Sequence, residues 1–307
     1  MAKVASILVP TAGAELLMTF QTAKLIDEWK KRLSIDISTE LKDIEQISLY
    51  RCEASHLDFF MPSSAAGSAE LYLHLQQFDW FYMPDKWEFD QALRDLKGSR
   101  RILEVGSGPG LFVEKVLREI KGCLIKGLEL SAAPFQEARR KNLPVEQEDL
   151  QEVAAKGEPF DAVCGFQVLE HVPQPRPFLE SMVKVLSPGG KLILCVPNKD
   201  AYLKHEYNLL DLPPHHMTRW NAFTFKFLEA LFPLKLRTIR CEPLAHYHIP
   251  GYVWGYAQYW AARFPRSANL FSESNLRRLA KFLEKSGFHR CLRGHSLYVV
   301  FEKQGLD

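Results

Sequence analysis

Apolar and amphipathic segments alternate along most of the chain, and this pattern predicts an α/β fold. Short apolar runs typical of buried strands cover residues 101–105, 122–130, 145–150, 161–166, 191–196, 234–241 and 296–302. Stretches with helical spacing cover residues 112–120, 134–141, 178–186, 222–232 and 275–286. Strands that alternate with helices predict a mostly parallel sheet with helices on both faces.

The pattern is different before residue 99. We interpret residues 1–98 as an N-terminal extension and residues 99–307 as the core domain. Within the extension, helical spacing occurs at residues 23–33 and 69–81, and strand-like runs occur at 45–51 and 57–61. Segments rich in proline, histidine and aromatic residues break the alternation of the core at about 199–222 and 245–290. We expect these two segments to be lid-like insertions.

A glycine-rich turn follows the first core strand. Its residues are Gly106, Ser107, Gly108 and Gly110. Glycine permits a tight turn and lets a ligand approach the backbone, and the next helix offers free N–H groups at its N-terminus. A tight turn without a ligand is the simpler interpretation. The spacing departs from the dinucleotide fingerprint, because Leu111 stands where that pattern has glycine.

An acidic residue, Glu129, ends the second core strand about twenty residues after the glycine turn. A carboxylate at this position can accept both hydroxyls of a ribose. That chemistry supports an adenosine-containing ligand, but it is common to nicotinamide and S-adenosyl cofactors and does not distinguish them. Alternatively, Glu129 is a solvated residue at the end of a strand.

Three segments in one register resemble the motifs of class I S-adenosylmethionine-dependent methyltransferases. They are Leu-Glu-Val-Gly-Ser-Gly-Pro-Gly at 103–110, Phe-Asp-Ala-Val with Val-Leu-Glu-His-Val within 160–172, and Leu-Ser-Pro-Gly-Gly-Lys with Val-Pro-Asn within 186–198. The similarity is greatest to the branch of ubiquinone-biosynthesis O-methyltransferases and of bacterial sugar and natural-product methyltransferases. The resemblance implies a Rossmann-like, doubly wound sheet of seven mostly parallel strands with an antiparallel last strand. It also implies S-adenosyl-L-methionine as the cofactor and S-adenosyl-L-homocysteine as its product.

The same resemblance implies a set of cofactor-binding residues. They are Glu104, Gly106, Ser107, Gly108, Gly110, Glu129, Leu130, Asp149, Leu150, Phe166 and Gln167. Asp149 is expected to accept from the adenine amino group and the Leu150 N–H to meet the ring nitrogen. Glu148 competes for the first role, and a helix N-cap is the alternative for Asp149.

Methyl transfer to a hydroxyl requires a group that takes the proton, and histidine suits this role. The candidates are His171 after the fourth core strand, and His215 and His216 in a Pro-Pro-His-His segment of the first insertion. Each of them is alternatively a structural histidine. Tyr82 lies in an aromatic segment that relatives often place near the methyl donor, where the ring face would attract the sulfonium. Packing of that segment onto the sheet is the alternative.

Composition narrows the class of partner. A net charge of +2 gives no signature of nucleic-acid binding, and no apolar run reaches the length of a membrane span. The apolar start, residues 4–10, is too short for a signal sequence. Six cysteines without a Cys-x-x-Cys pair indicate a reduced, cytoplasmic chain without disulfides.

We expect no metal. The segment around Cys52 looks like the remnant of a zinc ribbon in which this cysteine alone remains. The usual set of four zinc ligands therefore cannot be assembled there. His246 and His248 could form a metal site together with His215 and His216, but no carboxylate at a recognisable spacing supports this.

We expect methyl transfer to a hydroxyl oxygen of a small molecule: a sugar or glycan precursor, a phenol or quinone, or a specialised metabolite. Transfer to nitrogen or carbon, and a non-catalytic S-adenosyl-binding subunit, are the alternatives. The aromatic residues of the second insertion suit a pocket wall or a homodimer contact.

Overall fold

The computed structural model describes residues 4–205, 207–264 and 271–305. Met1–Lys3 of the predicted extension, and residues 206, 265–270 and 306–307 of the predicted core domain with its insertions, lie outside the described residues. The α-helices are α1 (Thr22–Leu33), α2 (Ala69–Leu75), α3 (Trp87–Asp95), α4 (Leu111–Glu119), α5 (Ala132–Arg140), α6 (Leu150–Lys156), α7 (Pro175–Lys184), α8 (Ala222–Phe227), α9 (Ile249–Arg263) and α10 (Glu273–Ser286). The strands are β1 (Val4–Ala5), β2 (Gly13–Gln21), β3 (Gln46–Cys52), β4 (Asp58–Met61), β5 (Arg101–Val105), β6 (Leu124–Leu128), β7 (Val145–Glu146), β8 (Phe160–Phe166), β9 (Leu186–Pro197), β10 (Thr218–Arg219), β11 (Leu234–Pro243) and β12 (Arg293–Lys303).

The core is a seven-stranded sheet in the order β11-β12-β9-β8-β5-β6-β7. The strands β9, β8, β5, β6 and β7 pair in parallel, whereas β12 is antiparallel to both β9 and β11. This topology confirms the predicted Rossmann-like fold with an antiparallel last strand. The carboxyl ends of β5, β6 and β8 meet at one edge of the sheet, where doubly wound folds bind their ligands.

A second sheet occupies the N-terminal extension, where the sequence predicted only two strands. Its five strands are antiparallel, in the order β1-β2-β3-β4-β10. Strand β10 comes from the first insertion and pairs with β4, so this insertion completes the sheet. Strand β2 escaped the prediction because its apolar residues lack a clean alternation, and Leu16, Leu17 and Met18 are all exposed.

Several predicted elements differ in length from the observed ones, and for two of them the physical cause is clear. The predicted helix at 69–81 ends at Leu75, and the residues after it form turns in which Phe78 stacks on Trp80 at 5.2 Å and Phe81 meets Tyr82 at 4.9 Å. Aromatic packing thus overrides helical spacing there. The predicted strand at 145–150 pairs only at Val145–Glu146, because Asp149 already caps α6.

A buried charge cluster joins the N-terminal sheet to the first insertion. Asp58 on β4 accepts two hydrogen bonds from the Arg51 guanidinium, at 2.7 and 3.0 Å, and a third from Lys199 Nζ at 2.9 Å. The side chains of Asp58 and Lys199 are only 6% and 7% exposed. Backbone bonds continue the contact, because Phe60 N–H donates to Met217 O and Gly67 N–H donates to Pro214 O. The extension therefore fixes the insertion that carries the Pro-Pro-His-His segment.

None of the described helices combines the length and apolar character that crossing a bilayer requires.

Candidate active site

The glycine turn adopts a backbone that only glycine accepts readily. Gly106, Gly108 and Gly110 have φ values of 72°, 54° and 80°. A Cβ on Gly106 would lie 2.5 Å from Val168 Cγ2, and one on Gly108 would lie 2.7 Å from Tyr82 Cε1. The turn is thus both left-handed and enclosed by side chains, and it presents the backbone of residues 106–110 to a ligand.

The close approach at Gly106 gives a first prediction. Gly106→Ala should lose about 1–2 kcal/mol to the left-handed backbone and about 1–3 kcal/mol more to the clash with Val168. Gly122→Ala is the matched control, since its φ is 75° and nothing lies within 4 Å of its added Cβ. Urea unfolding of both variants measures the difference, and equal losses would contradict the role given to Val168.

Glu129 is tied into the glycine turn from the neighbouring strand. Its Oε2 accepts from Gly108 N–H at 2.9 Å, and its Oε1 accepts from Ser131 N–H at 2.7 Å. The carboxylate is 9% exposed and lines the same cavity as the turn. Each oxygen keeps a lone pair that can accept from a ribose hydroxyl. Because of these two backbone bonds the carboxylate is held in place before any ligand binds.

The residues expected at the adenine have partly structural roles. Asp149 is the N-cap of α6, because its side chain accepts from Gln151 N–H at 2.6 Å. The helix N-cap, which was the alternative role for Asp149, is thus confirmed. Its contact with adenine stays a prediction. The competitor Glu148 is occupied by an ion pair with Lys156, which lowers the pKa of its carboxyl. Leu150 is buried at the first turn of α6, and Asp149 and Leu150 both line the cavity.

Five more predicted residues lie at or near the strand ends. Glu104 is buried and its Oε2 has no hydrogen-bond partner, and burial holds the pKa of its carboxyl well above the usual range. Phe166 is buried among aromatic rings, 4.7 Å from Phe112 and 5.4 Å from Phe89. Gln167 has φ 54° and donates from Nε2 to Glu88 Oε1 at 3.3 Å. Ser107 Oγ is buried without a partner, whereas Leu130 is 62% exposed at the rim.

Tyr82 lies over the glycine turn. Its ring contacts Gly108 as described above, and burial, then Glu129, raises the pKa of its phenol. Tyr82 is therefore on the cofactor side of the cavity rather than beside the histidines. Its contact with a sulfonium stays a prediction.

The three histidines proposed from the sequence form one cluster. The ring centroids of His171 lie 4.7 Å from His215 and 5.0 Å from His216, and His215 stacks on His216 at 4.5 Å. His171 is part-buried, and His215 and His216 are 7% and 8% exposed. Burial lowers the pKa of His171 to about 4, and burial and neighbouring positive charge hold the pKa of both lid histidines well below the usual range. These shifts favour the neutral form of all three rings at neutral pH.

Each of the three histidine rings is held by a hydrogen bond at the same nitrogen, Nδ1. Nδ1 of His171 lies 2.7 Å from His215 O, Nδ1 of His215 lies 2.8 Å from Leu210 O, and Nδ1 of His216 lies 3.2 Å from Asp211 Oδ1. Each of these oxygens can only accept, so Nδ1 carries the proton in all three rings. Nε2 is then the nitrogen with a free lone pair. His215 Nε2 is buried and has no hydrogen-bond partner.

Sequence reasoning missed the residues that support this cluster. Tyr72 on α2 meets the His171 ring edge-on at 5.5 Å, and its hydroxyl lies 3.4 Å from His215 O. Glu170 is 1% exposed, its Oε2 has no partner, and burial raises its pKa to about 8. Asp211 accepts from His216 and is also paired with Arg219 at 2.9 Å. Glu170 stands inside the Val-Leu-Glu-His-Val motif, so the motif was the signal that pointed to it.

One cavity of about 1430 Å³ joins all these groups. The glycine turn, Glu129, Asp149, Tyr82 and the three histidines line it, and so do His246 and His248 from the second insertion. The second insertion packs Ile249, Val253 and Ala257 of α9 into its own apolar cluster, with Tyr252 and Tyr256 beside them. On the same helix, Tyr259 and Trp260 are exposed. The predicted aromatic face of this insertion is thus divided between packing and the surface.

Comparison with known families decides the class of the protein. The family model described as "Methyltransferase domain" matches residues 86–307, which is well over half of the chain. The chain belongs to the class I S-adenosylmethionine-dependent methyltransferases. The match begins just before α3, within the segment that we assigned to the extension.

Curated relatives of this methyltransferase support the same class. It is 37% identical over 146 residues to a ubiquinone biosynthesis O-methyltransferase of Alkalilimnicola ehrlichii, covering 43% of this chain and 58% of the relative. It is 32% identical over 109 residues to the Klebsiella pneumoniae protein of that name, covering 33% of this chain and 44% of the relative. The chain therefore spans only about half the length of these curated relatives.

Solved structures also align with part of the chain. A coclaurine N-methyltransferase bound to N-methylheliamine and S-adenosyl-L-homocysteine aligns with 17% identity and a TM-score of 0.45, covering 70% of this chain and 71% of that one. Membership of the methyltransferase family, shown by the match over residues 86–307, makes the protein an enzyme with S-adenosyl-L-methionine as its methyl donor. The residues present fit that cofactor, because the glycine turn lines the cavity and the Glu129 carboxylate is fixed beside it by the Gly108 N–H.

Proposed function

We propose that this methyltransferase transfers its methyl group to a hydroxyl oxygen of a small-molecule acceptor bound against His171, His215 and His216. The observation that carries this proposal is that one cavity connects the glycine turn with three neutral imidazoles whose Nε2 atoms have free lone pairs. The acceptors we expect are a sugar or glycan precursor, a phenol or quinone, or a specialised metabolite. The O-methyltransferase names of the curated relatives support oxygen over nitrogen or carbon.

The chain has two tasks in this reaction. Residues 104–110, Glu129, Leu130, Asp149, Leu150, Phe166 and Gln167 hold the donor, which supplies a methyl group on a positively charged sulfur. The histidine cluster holds the acceptor hydroxyl. As the new C–O bond forms, the S–C bond breaks and its electron pair stays on sulfur, while the hydroxyl proton leaves to the cluster. Tyr82 closes the donor side and keeps water away from the methyl group.

Other parts of the expected biology are also proposals. A cytoplasmic location, the lack of a nucleic-acid partner and a homodimer all stay predictions. The exposed Tyr259 and Trp260 on α9 supply the surface that a second copy would need.

The donor site makes its own prediction. Glu129→Ala should weaken binding of S-adenosyl-L-methionine by about 1–3 kcal/mol, roughly 5- to 150-fold in Kd, because the ribose acceptor is removed. Glu146→Ala is the control: Glu146 is half exposed on the adjacent strand β7 and pairs with Lys126. Isothermal calorimetry measures both variants, and an unchanged Kd for Glu129→Ala would refute the ribose role.

The proposal as a whole is tested in two steps. Calorimetry with S-adenosyl-L-methionine, with NAD as the control ligand, should show binding of the first alone. A screen of sugars, phenols and quinols with methyl-labelled donor, read by mass spectrometry, should then give an O-methylated product. A product methylated only at nitrogen or carbon would overturn the choice of oxygen.

A further inference from the structure

The histidine cluster has features that proton transfer alone does not require. A single base needs one histidine, yet three rings from two separate segments converge here. One ring nitrogen of each residue lies within 4.8 Å of the others, and this is the one such group of metal-ligating side chains found in the part of the chain that the structure describes. Nδ1 of each ring already has a hydrogen-bond partner, which leaves Nε2 as the nitrogen available to an ion.

The hydrogen bonds behind the rings match those behind metal-bound histidines. A histidine that binds a metal typically donates its other N–H to a backbone carbonyl or a carboxylate, which fixes the ring and its tautomer. His171 and His215 donate to carbonyl oxygens, and His216 donates to the Asp211 carboxylate. Two buried groups at this place are unsatisfied: His215 Nε2 and Glu170 Oε2. A buried acceptor without a donor is costly, and a cation bound by the ring would satisfy His215 Nε2.

We propose that Nε2 of His171, His215 and His216 bind a divalent transition-metal ion, with Zn²⁺ the best match to three imidazoles. This rests on the proposed function and makes it more specific. Three protein ligands leave a fourth position open, as in catalytic zinc sites. An acceptor oxygen would take that position, and the bound cation would lower the pKa of its hydroxyl. The proton would then leave to solvent instead of to an imidazole, which replaces the proton step given above. This revises our expectation from sequence that the chain binds no metal.

Distances and charges are compatible with this site. Bonds of 2.0–2.1 Å in a tetrahedral arrangement place ligand nitrogens about 3.3 Å apart, so the stacked His215 and His216 rings must tilt to close the present separation of up to 4.8 Å. The carboxylates near the cluster are Glu170, whose Oε1 lies 3.9 Å from His171 Nε2, and Asp211. The cations near it are Lys86 and Arg219, and Arg219 is already paired with Asp211.

Cobalt titration of the full chain tests the site directly. After treatment with a chelator, the protein should bind one equivalent of Co²⁺ and show the visible absorption of a four-coordinate ion, and Zn²⁺ should displace it. His216→Ala should abolish this spectrum. Asp211→Asn should weaken Co²⁺ binding about 10–100-fold, because it removes the carboxylate behind His216. His289→Gln is the control: His289 is buried with Nδ1 2.9 Å from Leu283 O, yet lies outside the cluster.

The possible outcomes test the metal site separately from the proposed methyl transfer. Folded, chelator-treated protein that binds S-adenosyl-L-methionine but neither Co²⁺ nor Zn²⁺ overturns the metal site and leaves the methyltransferase proposal intact. Equal Co²⁺ affinity in the wild type and in His216→Ala also overturns it. Full methyl transfer in the presence of chelator overturns the role of the ion in holding the acceptor. A Co²⁺ spectrum that changes when an accepted substrate is added supports the inference.

Discussion

Replacement of His171 by alanine should lower the rate of methyl transfer about 10²- to 10⁴-fold, the contribution typical of a positioned proton-transfer group. His171 is the histidine that the core sheet itself supplies, because it follows β8 directly in the chain. Its Nε2 takes the proton of the acceptor in one form of the proposal and binds the ion in the other. Binding of S-adenosyl-L-methionine should change little, since Phe166 and Gln167 are the only donor residues on the same strand end and the other donor residues lie elsewhere. Steady-state kinetics with the acceptor from the screen, and calorimetry with the donor, measure the two quantities.

Two further variants make this test specific. His171→Gln keeps a side-chain donor for His215 O, so it retains the lid contact while losing the imidazole. It should be as slow as His171→Ala. His74→Ala, at an exposed position of α2 outside the cavity, should turn over at the wild-type rate. Wild-type kcat in His171→Gln would show that the ring holds the lid and takes no part in the reaction.

Asp58→Ala should lower the free energy of unfolding by about 3–5 kcal/mol, the cost of leaving a buried charge without its partner. Lys199 is 7% exposed, and Asp58 is the carboxylate that its ammonium contacts at 2.9 Å. Burial already lowers the pKa of Lys199, so the ammonium depends on this partner. Arg51 loses its paired bonds as well. Urea unfolding measures the loss.

An exposed pair is the control for Asp58. Asp27 lies 2.6 Å from Lys31 on α1, with side chains 55% and 71% exposed, so Asp27→Ala should change stability by less than about 1 kcal/mol. The double variant Asp58→Ala with Lys199→Met should recover part of the loss, because the unpaired ammonium is gone. Equal losses in Asp58→Ala and Asp27→Ala would show that the buried cluster contributes no more than a surface pair.

The donor half of the site was predictable because its signals are local. The positive φ angles at Gly106, Gly108 and Gly110 follow from glycine spacing within one turn, and Glu129 follows from the length of one β-α-β unit. Apolar periodicity likewise indicated the parallel sheet, since a strand buried on both faces must be apolar throughout. Errors arose where tertiary packing competes with local preference, as in the aromatic turns after Leu75.

The acceptor half was predictable only as a list of residues. The sequence indicated His171, His215 and His216 as candidates. However, 44 residues separate His171 from His215 in the chain, and no periodic pattern predicts that their rings meet in space. Tyr72 is 143 residues from His215 and came to light only through the fold. The N-terminal extension looked like a remnant of another domain. In the structure it forms a sheet that receives β10 and holds the lid histidines in place.

The sequence alone therefore indicated the fold class, the cofactor and the glycine turn that we propose binds it, because each signal is local in the chain. The tertiary structure decided how the histidines are arranged. It brought three rings together, assigned the proton of each to Nδ1 through carbonyl and carboxylate partners, and left Glu170 buried beside them. These are properties of side chains from separate segments packed in a low-dielectric interior, where position rather than residue type sets the chemistry.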